Sequence, residues 1–193
     1  MSDPVIHLQL PHWVAHMAPE GACFPDAEAR MRLAIALADA SVAHGGGPFG
    51  AAVVERASGR LVAPGVNLVE PANLSVAHAE VVALSLAQQR LGSYDLGAGA
   101  GWDFELVTSA EPCIQCFGAL IWAGVRSLVC GARSADAEAA GFDEGPKPAD
   151  WGAQLEARGI AVRRDVFRTE AARVIRDYAE SGGAIYNARR GAP

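Results

Sequence analysis

Apolar positions along the chain follow two rhythms. Ala34, Leu37, Ala38 and Ser41 stand three and four apart, the spacing of one helix face. Pro25 and Asp26 mark the start of that helix, and Gly45-Gly46-Gly47-Pro48 ends it. Phe49 to Glu55 is a short apolar run and predicts a strand. Arg60 to Asn67 predicts its hairpin partner, with Ser58-Gly59 at the turn. A second helix is expected over Val76 to Leu91, stopped by Gly92. Phe104 to Ser109 predicts a third strand, Cys113 to Gly124 a helix behind Pro112, and Ser127 to Ala132 a buried fourth strand. Ala135 to Ala140 reads as a short helix and Ile160 to Phe167 as a fifth strand. Glu170 to Ser181 reads as a last helix, stopped by Gly182-Gly183. Residues 1–24 read as an irregular lead-in, with His7, His12 and His16 in no partner pattern, and residues 182–193 as a tail.

A helix, a hairpin and then strands alternating with helices predict an α/β fold. Its form is a three-layer α/β/α sandwich around a central mixed five-stranded sheet. Such sheets take their ligands beyond the carboxyl ends of parallel strands. The length, 193 residues, suits a single domain over 1–193.

Composition narrows the function class. Half of the residues are apolar and a fifth charged, as in an ordinary soluble protein. No stretch approaches the ~20 uncharged residues of a membrane span. Met1 to Leu10 carries Asp3 and no Lys or Arg, unlike a secretory signal. The expected location is the cytoplasm, without membrane contact. The net charge of −6 argues against nucleic acid as a partner, because phosphate contacts need clustered Lys and Arg. Arg163-Arg164 and Arg189-Arg190 read as solvated surface. In a reducing compartment the four cysteines point to metal or redox chemistry rather than disulfides. Cys23 and Cys130 read as inert small hydrophobes.

The chemistry sits in two motifs, each at a predicted helix start. One is His78-Ala79-Glu80 and the other is Pro112-Cys113-Ile114-Gln115-Cys116. Cysteines three apart at a helix start lie on nearly one face, and free N–H groups there favour thiolates. One His and two Cys make three ligands. Structural zinc usually has four, whereas catalytic zinc keeps a position open for water. No second CxxC and no HxxxH pair completes a closed site. N and S donors favour zinc over magnesium or calcium. Glu80, two positions beyond the histidine, reaches the water rather than the ion and serves as the proton carrier. Alone, either motif has other readings: CxxC as a redox dithiol, HAE as a structural helix histidine. Together, in this order, they form the H-x-E and P-C-x-x-C signature of zinc nucleobase deaminases.

With these motifs the chain resembles the cytidine deaminase superfamily, in its guanine deaminase branch with bacterial members that also act on the triazine ammeline. The residues carrying the resemblance are Gly47-Pro48-Phe49-Gly50, Asn67, His78-Ala79-Glu80, Glu111 to Ala119, Trp122 to Ala132 and Gly141-Phe142-Asp143-Glu144-Gly145. They span roughly Asp26 to Tyr186. Gln115 departs from the pattern, standing where many relatives carry Met. The resemblance implies one Zn2+ per chain on His78, Cys113 and Cys116, with Glu80 moving the proton. It implies that Asn67 hydrogen-bonds the base and that Phe49 and His78 flank its plane. Asp143 and Glu144 would read the donor edge of guanine, since carboxylates accept hydrogen bonds, and Glu144 would help protonate the departing amine. Tyr186, in the tail, would close the pocket. Trp122 reads as a core or dimer contact, and a homodimer is expected. The implied reaction is guanine to xanthine and ammonia. The alternatives are cytosine or another aminoheterocycle as substrate, a tRNA adenosine deaminase, a zinc-stabilised binding module and a redox dithiol protein.

Overall fold

The computed structural model describes residues 5–188. Helix α1 (His12–Met17) precedes α2 (Ala27–Ala43), and a hairpin follows from β1 (Gly50–Glu55) and β2 (Leu61–Val66). Then come α3 (Val69–Ala72), α4 (Ala79–Leu91), β3 (Phe104–Ala110), α5 (Ile114–Ala123) and β4 (Ser127–Ala132). The chain closes with α6 (Ser134–Ala139), α7 (Trp151–Glu156), β5 (Ala161–Arg163) and α8 (Arg168–Glu180). The sheet runs β2-β1-β3-β4-β5. The hairpin and the β1–β3 pair are antiparallel, and β3–β4 and β4–β5 are parallel. This is the expected mixed five-stranded sheet.

Strand alternation explains the two covering layers. Val53, Leu106 and Leu128 lie in register across β1, β3 and β4 and share one core cluster with α4, α5 and α7. Their neighbours Ala52 and Val54 turn to the other face, against Leu33 and Leu37 of α2. Val107 and Val129 join Met31 and Ala34 on that same face. The third layer is completed by α8, whose Ala171 and Ile175 pack in the cluster of Ala110 and Ala132.

Helix α2 starts where Asp26 accepts the Ala29 N–H at 2.7 Å, an N-cap. The buried set on this helix includes Ala34, Leu37, Ala38 and Ser41, the predicted stripe. Helix α4 lies so close to β2 that a Cβ at Gly65 would overlap the Ala79 carbonyl. Only glycine admits this approach, and it places the first turn of α4 against the sheet.

Four expectations change. The lead-in is not wholly irregular: α1 buries Val14 against the cluster of Leu33 and Leu37, and Cys23 forms an isolated bridge with Arg60. The second helix begins at Ala79 rather than Val76, because Leu68 to Ala77 folds into α3 and a turn. The fifth strand is three residues long, since Asp165 (φ 64°) and Phe167 (φ 51°) take left-handed conformations that end it. Helices α3 and α7 were not foreseen. Arg189-Arg190 and the tail beyond residue 188 lie outside the described residues.

Candidate metal centre and substrate pocket

His78 is the N-cap of α4 and Cys113 the N-cap of α5, with Cys116 one turn into that helix. Cys113 follows the carboxyl end of β3, the end expected to take ligands. His78 Nδ1 lies 3.5 Å from Cys113 Sγ and 3.5 Å from Cys116 Sγ. A tetrahedral ion with bonds of ~2.3 Å to sulfur and ~2.0 Å to nitrogen would hold such donors about 3.5 Å apart. The three ligand atoms lie within 4.8 Å of one another, and among the described residues no other such cluster of three or more His, Cys, Asp or Glu side chains is found. Three N and S donors at this spacing fit a zinc site with a fourth position open.

One of the three donors is already held in its metal-binding form. A hydrogen bond from Cys116, joined by the His78 contact, outweighs burial and brings the Cys113 thiol down to about 4. The same Cys113 contact and burial push Cys116 up. The pair therefore carries one thiolate, and the second thiol must shed its proton to join a metal. Burial disfavours a charged His78, but the Cys113 contact and the Glu80 charge raise it overall. Glu80 is 6% exposed in the first turn of α4, and burial raises its carboxyl.

These groups open on a cavity of about 270 Å³, a volume suited to a small ligand. It brings together every expected site residue except the fully buried Cys116: Phe49, Asn67, His78, Glu80, Cys113, Asp143, Glu144 and Tyr186 line it. Asn67, 2% exposed, sits just past β2. Its Oδ1 accepts the Val69 N–H at 3.1 Å, so its amide N–H groups are the ones left for a ligand acceptor. Asp143 is exposed, and its Oδ1 accepts the Gly145 N–H at 2.8 Å. Glu144 is buried, and burial brings its carboxyl up to about 7. The Tyr186 hydroxyl is buried without a hydrogen-bond partner among the described residues. Phe49 meets Phe142 edge to face with ring centroids 5.0 Å apart.

Several neighbours were not singled out beforehand. Phe142 links Phe49 to Tyr186, whose ring lies 5.3 Å from it. Asn187 Oδ1 accepts the Asp143 N–H, and Asn187 Nδ2 donates to the Gly141 carbonyl, so the tail clasps the loop that carries Glu144. Glu111, 4% exposed, accepts from Ser134 N–H and from Arg164. Arg164 is exposed, as expected, and its guanidinium also pairs with Glu111. No spacing rule marks these contacts, because they join segments 23 or more residues apart. Trp122 is 82% exposed on α5, which removes the core reading. Cys130 is fully buried, and burial pushes its thiol up. Cys23 is exposed, and its thiol donates to the Ser58 carbonyl.

Comparison with known proteins agrees with this geometry. Residues 25–132 match the cytidine and deoxycytidylate deaminase zinc-binding region. The structure of a guanine deaminase from Nitrosomonas europaea superposes with a TM-score of 0.88 at 50% identity, covering 93% of this chain and 98% of that one. NE0047 in complex with 2,6-diaminopurine gives a TM-score of 0.89 at 52% identity over 96% of this chain and 98% of that one. A guanine deaminase of Bacillus subtilis (strain 168) is 42% identical over 118 residues, 61% of this chain and 71% of that one. The chain belongs to the cytidine and deoxycytidylate deaminase family. Its cofactor is Zn2+.

Proposed function

We propose that this deaminase-family chain hydrolyses guanine to xanthine and ammonia, with one Zn2+ held by His78, Cys113 and Cys116. The observation that carries the reading is convergence. Two of the three zinc donors, His78 and Cys113, line one small cavity with the buried Glu80, Asn67 and Glu144, and Cys116 completes the donor cluster. The similarity to guanine deaminases supports the substrate.

When bound, zinc acidifies a water and so supplies a nucleophile near neutral pH. The remaining roles belong to the chain. The Asn67 amide donates to an acceptor on the base. Phe49 and His78 flank the ring plane. Glu80 takes a proton from the attacking water and delivers it to a ring nitrogen. Oxygen adds to carbon 2 first; the bond to the exocyclic amine then breaks, and the added hydroxyl gives up its proton to a carboxylate as the carbonyl of xanthine forms. Glu144 hands a proton to that departing amine. A carboxyl brought to about 7 is well matched to giving and taking protons near neutrality. Asp143 reads ring donors, and the Tyr186 hydroxyl, without a partner among the described residues, takes a further polar atom of the ligand. Ammeline offers a comparable amino-substituted ring and is the expected second substrate.

We read residues 1–193 as one cytoplasmic domain that pairs as a homodimer. No described helix is long and apolar enough to cross a membrane. Trp122 (82% exposed) and Tyr94 (86%) flank a shallow apolar face between α4 and α5, a surface suited to a second copy. A tRNA substrate would call for a basic surface, which the −6 charge disfavours. A binding module would need a fourth zinc ligand, and the cluster among the described residues holds three.

Ammonia release from guanine, guanosine, adenine, cytosine and ammeline by zinc-loaded protein tests the assignment. Guanine is expected to turn over fastest. An inert guanine beside a reactive second amine would leave the zinc chemistry standing and remove the substrate.

A further inference from the structure

Behind the wall of the cavity lies a buried cation that the chemistry above does not use. Lys147 belongs to the loop between α6 and α7, and its side chain is 7% exposed. Its ammonium donates to the Pro112 carbonyl at 2.7 Å and to the Ser134 hydroxyl. It also lies 3.7 Å from Glu144 Oε2 and 4.9 Å from the centre of the Trp151 ring. The Ser134 hydroxyl in turn donates to Glu144 Oε2 at 3.0 Å.

This arrangement has a direction. An ammonium has donors only, so the Ser134 oxygen must accept from it. The single hydroxyl proton is then committed to Glu144. Oε2 is held from behind, and among the described residues nothing hydrogen-bonds Oε1, the oxygen left for a ligand. The Glu144 backbone is fixed as well, since its carbonyl accepts the Ile114 N–H at 3.0 Å. Lys147 thus joins the turn that precedes Cys113 to the carboxyl across the cavity. Stability alone is a poor reason for such a group, because an apolar side chain of similar volume often serves a buried position as well or better.

We propose that Lys147 is a positioning residue for the deamination: acting through Ser134, it aims the Glu144 carboxyl at the departing amine. This rests on the assignment of Glu144 above. A misplacement of about 1 Å in such a group can lower a rate ~100-fold.

The test is a double-mutant cycle in zinc-loaded protein, with Lys147→Met, Glu144→Gln and the pair. Lys147→Met is expected to keep one zinc per chain and to lower kcat on guanine about 100-fold, with KM changed less than about threefold. In the Glu144→Gln background it should cost almost nothing, because the group it positions is already gone. Lys147→Arg should recover part of the lost kcat. An unchanged kcat in Lys147→Met, or the same loss in both backgrounds, would overturn the proposal. If Lys147→Met does not fold, Ser134→Ala reads the same coupling through the bridging hydroxyl. Urea unfolding of the four proteins supplies a readout independent of substrate. Non-additive midpoints are expected, and strict additivity would overturn the positioning role whatever the substrate. A wild type inert on guanine would remove only the substrate assignment, and the kinetic cycle would then be read on the amine that does react.

Discussion

Gly47 makes room for Tyr186: a Cβ at position 47 would overlap the phenolic hydroxyl, which is buried in the cavity without a hydrogen-bond partner among the described residues. Gly47→Ala should therefore push the ring aside. The obstructed group is the far end of a side chain, so the fold can yield with little loss of melting temperature. One displaced ligand hydrogen bond corresponds to a three- to tenfold rise in KM, or about 0.5–1.5 kcal/mol. Steady-state kinetics on guanine check this, and an unchanged KM would remove Tyr186 from the binding site.

Glu80 is buried in the first turn of α4, two residues after His78. Glu80→Gln keeps the size of the side chain and removes its proton transfer. It should retain one zinc per chain by elemental analysis and lose about 10²- to 10⁴-fold in kcat. Near-normal turnover with zinc in place would contradict the assigned role.

Cys116 has no exposed surface and lies 3.5 Å from His78 Nδ1. Cys116→Ala removes one of three donors. Bound zinc should fall well below one per chain and turnover with it, while exposed Cys23→Ala leaves both unchanged. Full zinc occupancy in Cys116→Ala would show that the ion binds elsewhere.

Arg30 anchors the opposite end of the sheet. It is 5% exposed, donates to Glu105 at 2.9 Å and to the carbonyls of Phe24, Pro25 and Arg56. Arg30→Met would strand the buried Glu105 with only the Ser127 hydroxyl as a side-chain partner. Breaking such a pair costs about 3–5 kcal/mol, read as a lower urea midpoint, with kcat of the remaining folded protein unchanged. A neutral effect on stability would show that Glu105 readily finds water.

Burial raises the Glu144 carboxyl from 4.5 to about 7. The folded state then binds more protons than the unfolded state between those values. Stability from this group is present below pH 4.5 and is lost as pH rises through about 7. The full displacement corresponds to about 3 kcal/mol as an upper value. Glu144→Gln lacks this titration, so its stability relative to wild type should improve between pH 5 and pH 8. Urea unfolding at the two pH values tests this, and a gap that does not change with pH would mean that Glu144 titrates normally in the fold.

The metal centre was legible because it is local. His78-Ala79-Glu80 and Cys113 to Cys116 each occupy one helix start, where spacing alone puts the groups on one face. Apart from the later start of α4, the predicted helices held for the same reason, down to the Asp26 cap and the Gly92 and Gly124 ends with φ of 65° and 77°. The fifth strand did not hold. Alternation over Ile160 to Phe167 looked like a strand, but Asp165 and Phe167 turn left-handed where Arg133 binds Asp165 and Arg32 stacks on Phe167. Those partners are about 30 and 135 residues away. Helix α7 escaped notice because Trp151 and Leu155 are its only buried residues, too few to set a rhythm.

By itself, the sequence determined the α/β class, the two motifs whose His78, Glu80, Cys113 and Cys116 the fold brings together, and the family to which they point. Helix caps, periodicity and ligand spacing act over a few residues, and local chemistry suffices to read them. Tertiary structure alone decided what surrounds them. Ser134 and Lys147 stand behind Glu144, Arg164 holds Glu111, Asn187 clasps the 141–143 loop, and Asn67 turns its donors to the cavity. A buried carboxyl or ammonium must find partners wherever packing brings them within about 3 Å, and sequence distance does not enter that requirement.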